Sequence, residues 1–371
     1  MSETDLDTYA LKASAAAEMT APDLPYRPPL PRAYRPRIAL VGAGGIAAAH
    51  LAAYRAAGFD VAVICNRTLA RAEARRDEFF PGAEATDDIA ATLARDDIAV
   101  VDLTPHPVER LPMIEAALTA GKHVLSQKPF VVDLDAGLRL CDLADAKGVR
   151  LAVNQNGRWA PHLAWMREAV RAGLVGAVHT VDVSIHWDHG WIAGTPFEAI
   201  DDLLLYDFAV HWFDFVASLG VRPRSVYAAR ASAAGQTVRP PLLAQAVVGF
   251  DGGQAALGFD GAARFGASDR SCIAGSAGTL VSDGPSLGEQ TVTLTTAEGV
   301  ARPRLDGTWF REGFVGTMGE LLSAIEAGRE PANGGRGNLD ALALTFAALA
   351  SSSRGMPVAP WEVRSLAEAR G

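Results

Sequence analysis

From residue 37 onward, short apolar runs alternate with amphipathic stretches of helical length, the pattern of repeated β-α-β units. Apolar runs at 38–41, 61–65, 98–103, 124–125 and 150–153 predict five strands. Between them, 48–57, 69–79, 107–120 and 135–147 predict helices, the third closed by Gly121. Strands separated by single helices predict a parallel sheet with right-handed crossovers, ending near residue 155.

The pattern changes after a further helix predicted at 161–172. Runs rich in Val, Thr and Ser occupy 178–187, 225–231, 244–250, 254–260, 270–275 and 278–282. Asp251-Gly252-Gly253 and Ser276-Ala277-Gly278 separate successive runs as hairpin turns would. A mostly antiparallel sheet is expected, interrupted by a helix over 200–219. Two Ala- and Leu-rich helices, 313–327 and 338–353, are expected to pack back on the first domain. The fold class is therefore α/β, with a parallel-sheet domain at 37–155 and an α/β domain with a larger, mostly antiparallel sheet at 156–371.

Residues 1–36 stand apart. Six prolines between Pro22 and Pro36 predict an extended segment rather than a packed one. It is either disordered or an arm laid across a neighbouring subunit.

Length and composition narrow the classes. A chain of 371 residues suits two domains, and 49% hydrophobic with 21% charged residues is the profile of a soluble globular, enzyme-sized protein. A net charge of −9 argues against nucleic acid or an anionic membrane as partner. Cys65, Cys141 and Cys272 stand far apart without a CxxC pair, as thiols in a reducing compartment do. No run approaches the roughly 18 apolar residues of a membrane span. Glu3, Asp5, Asp7 and Glu18 near the start do not suit a secretory signal, so a cytoplasmic location is expected.

The chemistry begins at Gly42-Ala-Gly44-Gly45-Ile46-Ala47, after a predicted strand and before a helix. Gly42 permits a tight turn, Gly44 lets a pyrophosphate reach the backbone, and Ala47 allows close helix–strand packing. At the end of the second strand stand Asn66-Arg67. Asn66 lacks the carboxylate that would repel a ribose 2′-phosphate and Arg67 could pair with one, which favours NADP. The other reading has Asn66 bonding the ribose of NAD, with Arg67 solvated. About 80 residues past the glycine turn, Lys128-Pro129 ends an apolar run, and the proline biases Lys128 toward an extended backbone. Its ammonium then leaves the carboxyl end of the strand, where open α/β sheets bind ligands. It either stabilises an alkoxide beside a nicotinamide or is a solvated strand end.

In the second half, Asp207 and His211 are four residues apart and share one face of the predicted helix, among apolar neighbours. The histidine could take a hydroxyl proton, with Asp207 orienting it or binding a substrate hydroxyl. Otherwise His211 is a satisfied core residue. His186-Trp187-Asp188-His189-Gly190-Trp191 has no zinc-like spacing, so no metal is expected, and Trp187 or Trp191 is expected to stack on a sugar ring. Arg158 could contact cofactor or substrate, or be a surface residue at a helix start.

Taken in order, these motifs resemble the glucose–fructose oxidoreductase/inositol 2-dehydrogenase/MocA-like family from Arg37 to Val358. The resemblance is carried by the glycine turn, Thr104-Pro105, the segment 117–124 leading to Lys128-Pro129, Asp207-x-x-x-His211-x-x-Asp214, and the strand turn at 273–280. It implies a Rossmann domain followed by an α/β domain whose open sheet makes homodimers or homotetramers. It also implies Lys128, Asp207 and His211 as catalytic set, the lysine polarising the reacting oxygen and the histidine acting as base. The implied cofactor set is Gly42, Gly44, Gly45, Ile46, Asn66, Arg67, Thr104, Pro105, His106, Gln127, Lys128 and Arg158, for NADP or NAD. Asn156, Trp187, Trp191, Asp207 and His211 would meet the substrate.

Three positions depart from the family pattern. Gln127 replaces a glutamate, Arg110 a histidine, and Asp201-Asp202 replace glycines. The two aspartates could bind hydroxyls or cap a helix. The expected activity is NAD(P)-dependent interconversion of a secondary alcohol and a ketone or lactone of a sugar or cyclic polyol. Redox-neutral glycoside elimination or hydrolysis with tightly held dinucleotide, and a non-catalytic NAD(P) or sugar sensor, are the alternatives.

Overall fold

Six parallel strands build the first sheet in the computed structural model, which describes residues 17–371. Along the chain run β1 (Arg37–Val41), α1 (Gly45–Ala57), β2 (Asp60–Cys65), α2 (Leu69–Phe79), β3 (Glu84–Thr86), α3 (Ile89–Leu93), β4 (Ile98–Leu103), α4 (Pro107–Thr119), β5 (His123–Gln127), α5 (Leu134–Lys147) and β6 (Leu151–Asn154). The strand order is β3-β2-β1-β4-β5-β6. Every second residue faces the same way, so Ile38, Leu40, Val100 and Leu125 pack under α1. Ala39, Val101, Leu103 and Val124 instead join the cluster holding Ile114 of α4 and Leu134 of α5. Burial on both faces explains the unbroken apolar runs. β3 and α3, at three and five residues, are too short to show a period in the sequence.

After α6 (Pro161–Arg171), the second sheet comprises β7 (Val178–His186), β8 (Pro223–Ala231), β9 (Leu243–Phe250), β10 (Gly253–Asp260), β11 (Ser268–Gly275), β12 (Gly278–Ser286), β13 (Glu289–Thr296) and β14 (Gly299–Ala301). Its order is β14-β13-β12-β11-β7-β10-β9-β8, antiparallel throughout except for β7 beside β10. One face is covered by helices. The other leaves Tyr227 and Val247 exposed. The continuous helix predicted over 200–219 does not form: Leu203–Phe208 is a π-helical turn, followed by α7 (Val210–Ala217). The wider turn changes which side chains align, with consequences for Asp207 below.

Two long helices follow, α8 (Trp309–Glu326) and α9 (Gly335–Arg354), then a short α10 (Leu366–Arg370). Phe314, Met318 and Leu321 of α8 lie in one cluster with Ile38 and Leu40 of the first sheet. The expectation of an unpacked N-terminal segment fails for residues 17–36; residues 1–16 lie outside the described residues. This stretch is extended but lies on its own chain. Glu18 bridges Val300, Tyr26 is buried, and the amides of Arg32, Ala33 and Tyr34 donate to the Glu326 carboxylate at 2.6–2.8 Å. Prolines removed donors, and Glu326 at the end of α8 accepts three of those that remained. No described helix is long and apolar enough to cross a membrane.

Asp269 on β11 is an internal oddity. It is 1% exposed, and neither carboxyl oxygen has a partner among the described residues. Burial, with a smaller push from Asp283, raises its pKa from 3.8 to about 7. The native state therefore holds a proton between those values that the unfolded chain has lost, so stability falls as pH rises through that window. Asp269→Asn is expected to leave the unfolding midpoint unchanged near pH 4 and to raise it at pH 7 and above. Thermal unfolding across that range checks this; a less stable variant at pH 8 would contradict it.

Candidate active site

The glycine turn sits where β1 hands over to α1. Gly42 adopts φ +99°, and a Cβ there would strike the Thr104 hydroxyl and the Pro105 ring, so only glycine fits. A Cβ on Gly44 or Gly45 would meet no atom within 4 Å. Gly44 caps α1 without a side chain, leaving the first-turn amides to an anionic ligand, while Ala47 is fully buried as close packing requires. These residues line a cavity of about 710 Å³ along the carboxyl edge of the sheet.

Every residue expected at the cofactor lines that cavity except Arg158. Arg158, partly buried, is instead a bidentate partner of buried Asp214, both bonds 2.8 Å, and also reaches the carbonyl of Ala332. Asn66 is redirected as well. Its oxygen accepts from the Ala43 amide at 3.0 Å and its nitrogen donates to the Thr68 carbonyl at 2.9 Å, so it braces the glycine turn rather than standing free for a ribose. Arg67 is 91% exposed with only a loose 3.8 Å contact to Glu109. Thr68 and Arg71, unremarked in the sequence, join it in the lining. A reading of the first turn of α2, continuing from Asn66-Arg67, would have found both.

At the other end stands the catalytic candidate. Lys128 Nζ donates to Asp207 Oδ2 at 3.0 Å and to the Asp207 carbonyl at 2.8 Å, with both side chains about one-fifth exposed. Asp207 thus serves the lysine; it makes no hydrogen bond to His211, because the π turn breaks the α register that would have aligned them. His211 lies on α7, 9% exposed, against the Trp309 ring, and its Nδ1 has no partner among the described residues. Burial, reinforced by the Lys128 charge, pushes its pKa well below the ordinary imidazole value. The ring is neutral at pH 7 and able to accept a proton.

Arg110, where the family pattern has histidine, is fully buried. It donates to the carbonyls of Pro105, Pro129 and Phe130, tying the turn after β4 to the one after Lys128. Burial lowers its pKa to about 10, which leaves it a cation. Asp201 and Asp202 do not reach the cavity. Asp202 is buried between Arg230 and Arg370, and exposed Asp201 pairs with Arg239. Trp187 packs within an aromatic group with Phe208 and Trp212 instead of presenting a stacking face. Exposed Trp191 abuts Phe197 at 5.4 Å between ring centres, and it is Phe197 that lines the cavity. Asn156 is buried against Gly313. Pro196 and Phe197 escaped the sequence reading because they reach the cavity only through the folding of a long loop.

A parallel sheet of this order, with a glycine-cradled cleft and a lysine at its rim, is the architecture of a dinucleotide-dependent oxidoreductase. Residues 36–155 match the model of an oxidoreductase family with an NAD-binding Rossmann fold, and residues 163–281 match the GFO/IDH/MocA C-terminal domain. The chain belongs to the GFO/IDH/MocA oxidoreductase family. It is 29% identical to an inositol 2-dehydrogenase of Rhizobium meliloti over 85% of this chain and 96% of the relative. The crystal structure of a putative myo-inositol dehydrogenase from Sinorhizobium meliloti superposes with TM-score 0.74 at 25% identity, covering 88% of this chain and 99% of that one. An oxidoreductase from Agrobacterium radiobacter, crystallised with NAD+, L-tartaric acid and magnesium, shares the fold at TM-score 0.79 and 20% identity, covering 88% and 98%.

Proposed function

We propose that the protein is an NAD(P)-dependent dehydrogenase or reductase interconverting a secondary alcohol and the ketone, or lactone, of a sugar or cyclic polyol. The carrying observation is Lys128, held by Asp207 at the rim of the glycine-turn cavity; His211 does not itself line that cavity but lies near enough for the Lys128 charge to lower its pKa. When bound, the nicotinamide supplies a hydride acceptor or donor. Lys128 keeps one hydrogen free of Asp207 to donate to the reacting oxygen and stabilise charge developing there. His211 takes the hydroxyl proton during oxidation and returns it during reduction. Resemblance to an inositol 2-dehydrogenase supports the polyol class. Turnover of a sugar and inositol panel with each nicotinamide, followed by absorbance, tests this; no turnover with either cofactor would sink it.

The cofactor proposed is NADP in preference to NAD. Arg67 and Arg71 line the cavity beside Asn66, whose amide carries no charge to repel a 2′-phosphate. The double variant Arg67→Ala/Arg71→Ala is expected to raise KM for NADP about ten- to a hundredfold while leaving KM for NAD within about twofold. Equal effects on both cofactors would remove the preference. The open face of the second sheet, with Tyr227 and Val247 exposed, supports a homodimer or homotetramer through that face. Three unpaired thiols support a cytoplasmic setting.

A further inference from the structure

A buried polar cluster lies beneath the cofactor cleft. Asp102 on β4, Gln127 on β5 and Asn154 on β6 share the face of the first sheet covered by α1, which contributes His50 and Tyr54. Asp102 Oδ2 is 2.7 Å from both His50 Nδ1 and the Tyr54 hydroxyl. His50 Nε2 is 3.1 Å from Gln127 Nε2 and 2.8 Å from Asn154 Nδ2. Gln127 Oε1 is 2.6 Å from the backbone nitrogen of Lys128. His50, Asp102 and Asn154 are fully buried and Gln127 nearly so.

One of these bonds sets the direction of the rest. The Lys128 amide can only donate, so the Gln127 atom facing it is the oxygen. Gln127 Nε2 then points at His50 and can only donate, so His50 Nε2 is a bare acceptor. The ring proton sits on Nδ1 and goes to Asp102, which also receives the Tyr54 hydroxyl. Burial and Asp102 hold that phenol pKa well above its usual value, keeping it a donor. The result is a directed chain from a buried carboxylate to the backbone of the residue carrying the reactive ammonium.

We propose that Asp102, His50 and Gln127 are positioning residues that fix the Lys128 backbone so that its ammonium meets Asp207 and the reacting oxygen together. This rests on the reading of Lys128 given above. Asp207 holds the far end of the side chain and the relay holds its root. A ring fixed in this tautomer accepts at Nε2 from Gln127 as well as from Asn154. A glutamate at position 127 has no proton to give His50 Nε2, whereas glutamine does, so the departure from the family pattern suits this tautomer.

Gln127→Met preserves volume and removes both bonds. It is expected to lower kcat about ten- to a hundredfold, with KM and cofactor Kd changed less than about threefold. His50→Gln, whose oxygen still accepts from Gln127, is expected to recover most of what His50→Phe loses, at matched thermal midpoints. Nitrogen-15 NMR is expected to show His50 protonated at Nδ1 and bare at Nε2. Wild-type kcat in Gln127→Met, or a proton on Nε2, overturns the relay. Wild-type turnover in Lys128→Ala would overturn the catalytic reading alone. The grip is scored separately by hydrogen exchange of the Lys128 amide, which is slow in wild type and faster in Gln127→Met if the relay holds it. Equal exchange in both overturns it.

Discussion

Lys128→Ala is expected to lower kcat for alcohol oxidation about 10²–10³-fold, the cost of removing a donor aimed at developing charge on oxygen. Substrate KM is expected to change far less, because that charge is largest in the transition state. Arginine is not expected to rescue. Its planar fork cannot occupy the compact site between the Asp207 carboxylate and carbonyl, 3.0 and 2.8 Å from the ammonium. The variant has a second signature. The Lys128 charge helps depress the His211 pKa, so its removal lets that pKa rise. The acid limb of the oxidation rate should therefore move to higher pH in Lys128→Ala. Steady-state kinetics across pH measures both effects. A loss confined to KM, or an acid limb that stays in place, would contradict this role for the lysine.

His211→Asn is expected to cost about 10²–10⁴-fold in kcat for oxidation, the range for removing a positioned general base. In wild type the base works only when unprotonated, and its depressed pKa keeps it so through neutral and mildly acidic pH. Oxidation should thus hold its rate well below pH 6.5 and fall only under more acid conditions. His211→Asn should remove that fall along with most of the rate. Native-state stability shifts with the same sign. The unfolded ring takes a proton near 6.5 and the buried one does not, so His211 favours unfolding progressively as pH drops below that value. Fully buried His162, pushed from 6.5 to about 3, acts in the same direction. An acid limb of oxidation near the ordinary imidazole pKa would show that His211 is not the base.

The alternation of runs carried most of the first sheet because every strand but β3 is largely buried on both faces and every helix but α3 is long enough to show its period. β4 was predicted over the residues it occupies, and α2 likewise. The helix over 200–219 was misjudged for a local reason: apolar residues all round leave no stripe to distinguish an α turn from a π turn. The same local blindness assigned Asp207 to His211. Their spacing of four was visible, but the π turn that gave Asp207 to Lys128 was not.

The relay shows a signal that was present and unused. Asp102, Gln127 and Asn154 are polar residues at the ends of otherwise apolar strands, and strand parity already places them on one face. Nothing in the spacing pointed to His50, since it enters that face from a helix whose rotation over the sheet is set by packing. Arg158 and Asn66 take protein partners that the sequence left open, for a related reason, although Asn66 still lines the cavity. Each is polar near a strand end, and whether such a group meets a ligand or its own backbone depends on which neighbour folding brings within 3 Å.

By itself, the sequence determined the parallel sheet, the glycine turn, and the chemical types of the groups proposed to react, a lysine and a histidine. These follow from local rules: burial repeats with the strand or helix period, glycine alone tolerates φ +99°, and proton affinity belongs to the side chain before any environment acts on it. Tertiary structure decided which groups face the cleft, which partner Asp207 takes, and why His211 is neutral. Those outcomes depend on desolvation and on distances between residues far apart in the chain, such as the 79 positions separating Lys128 from Asp207.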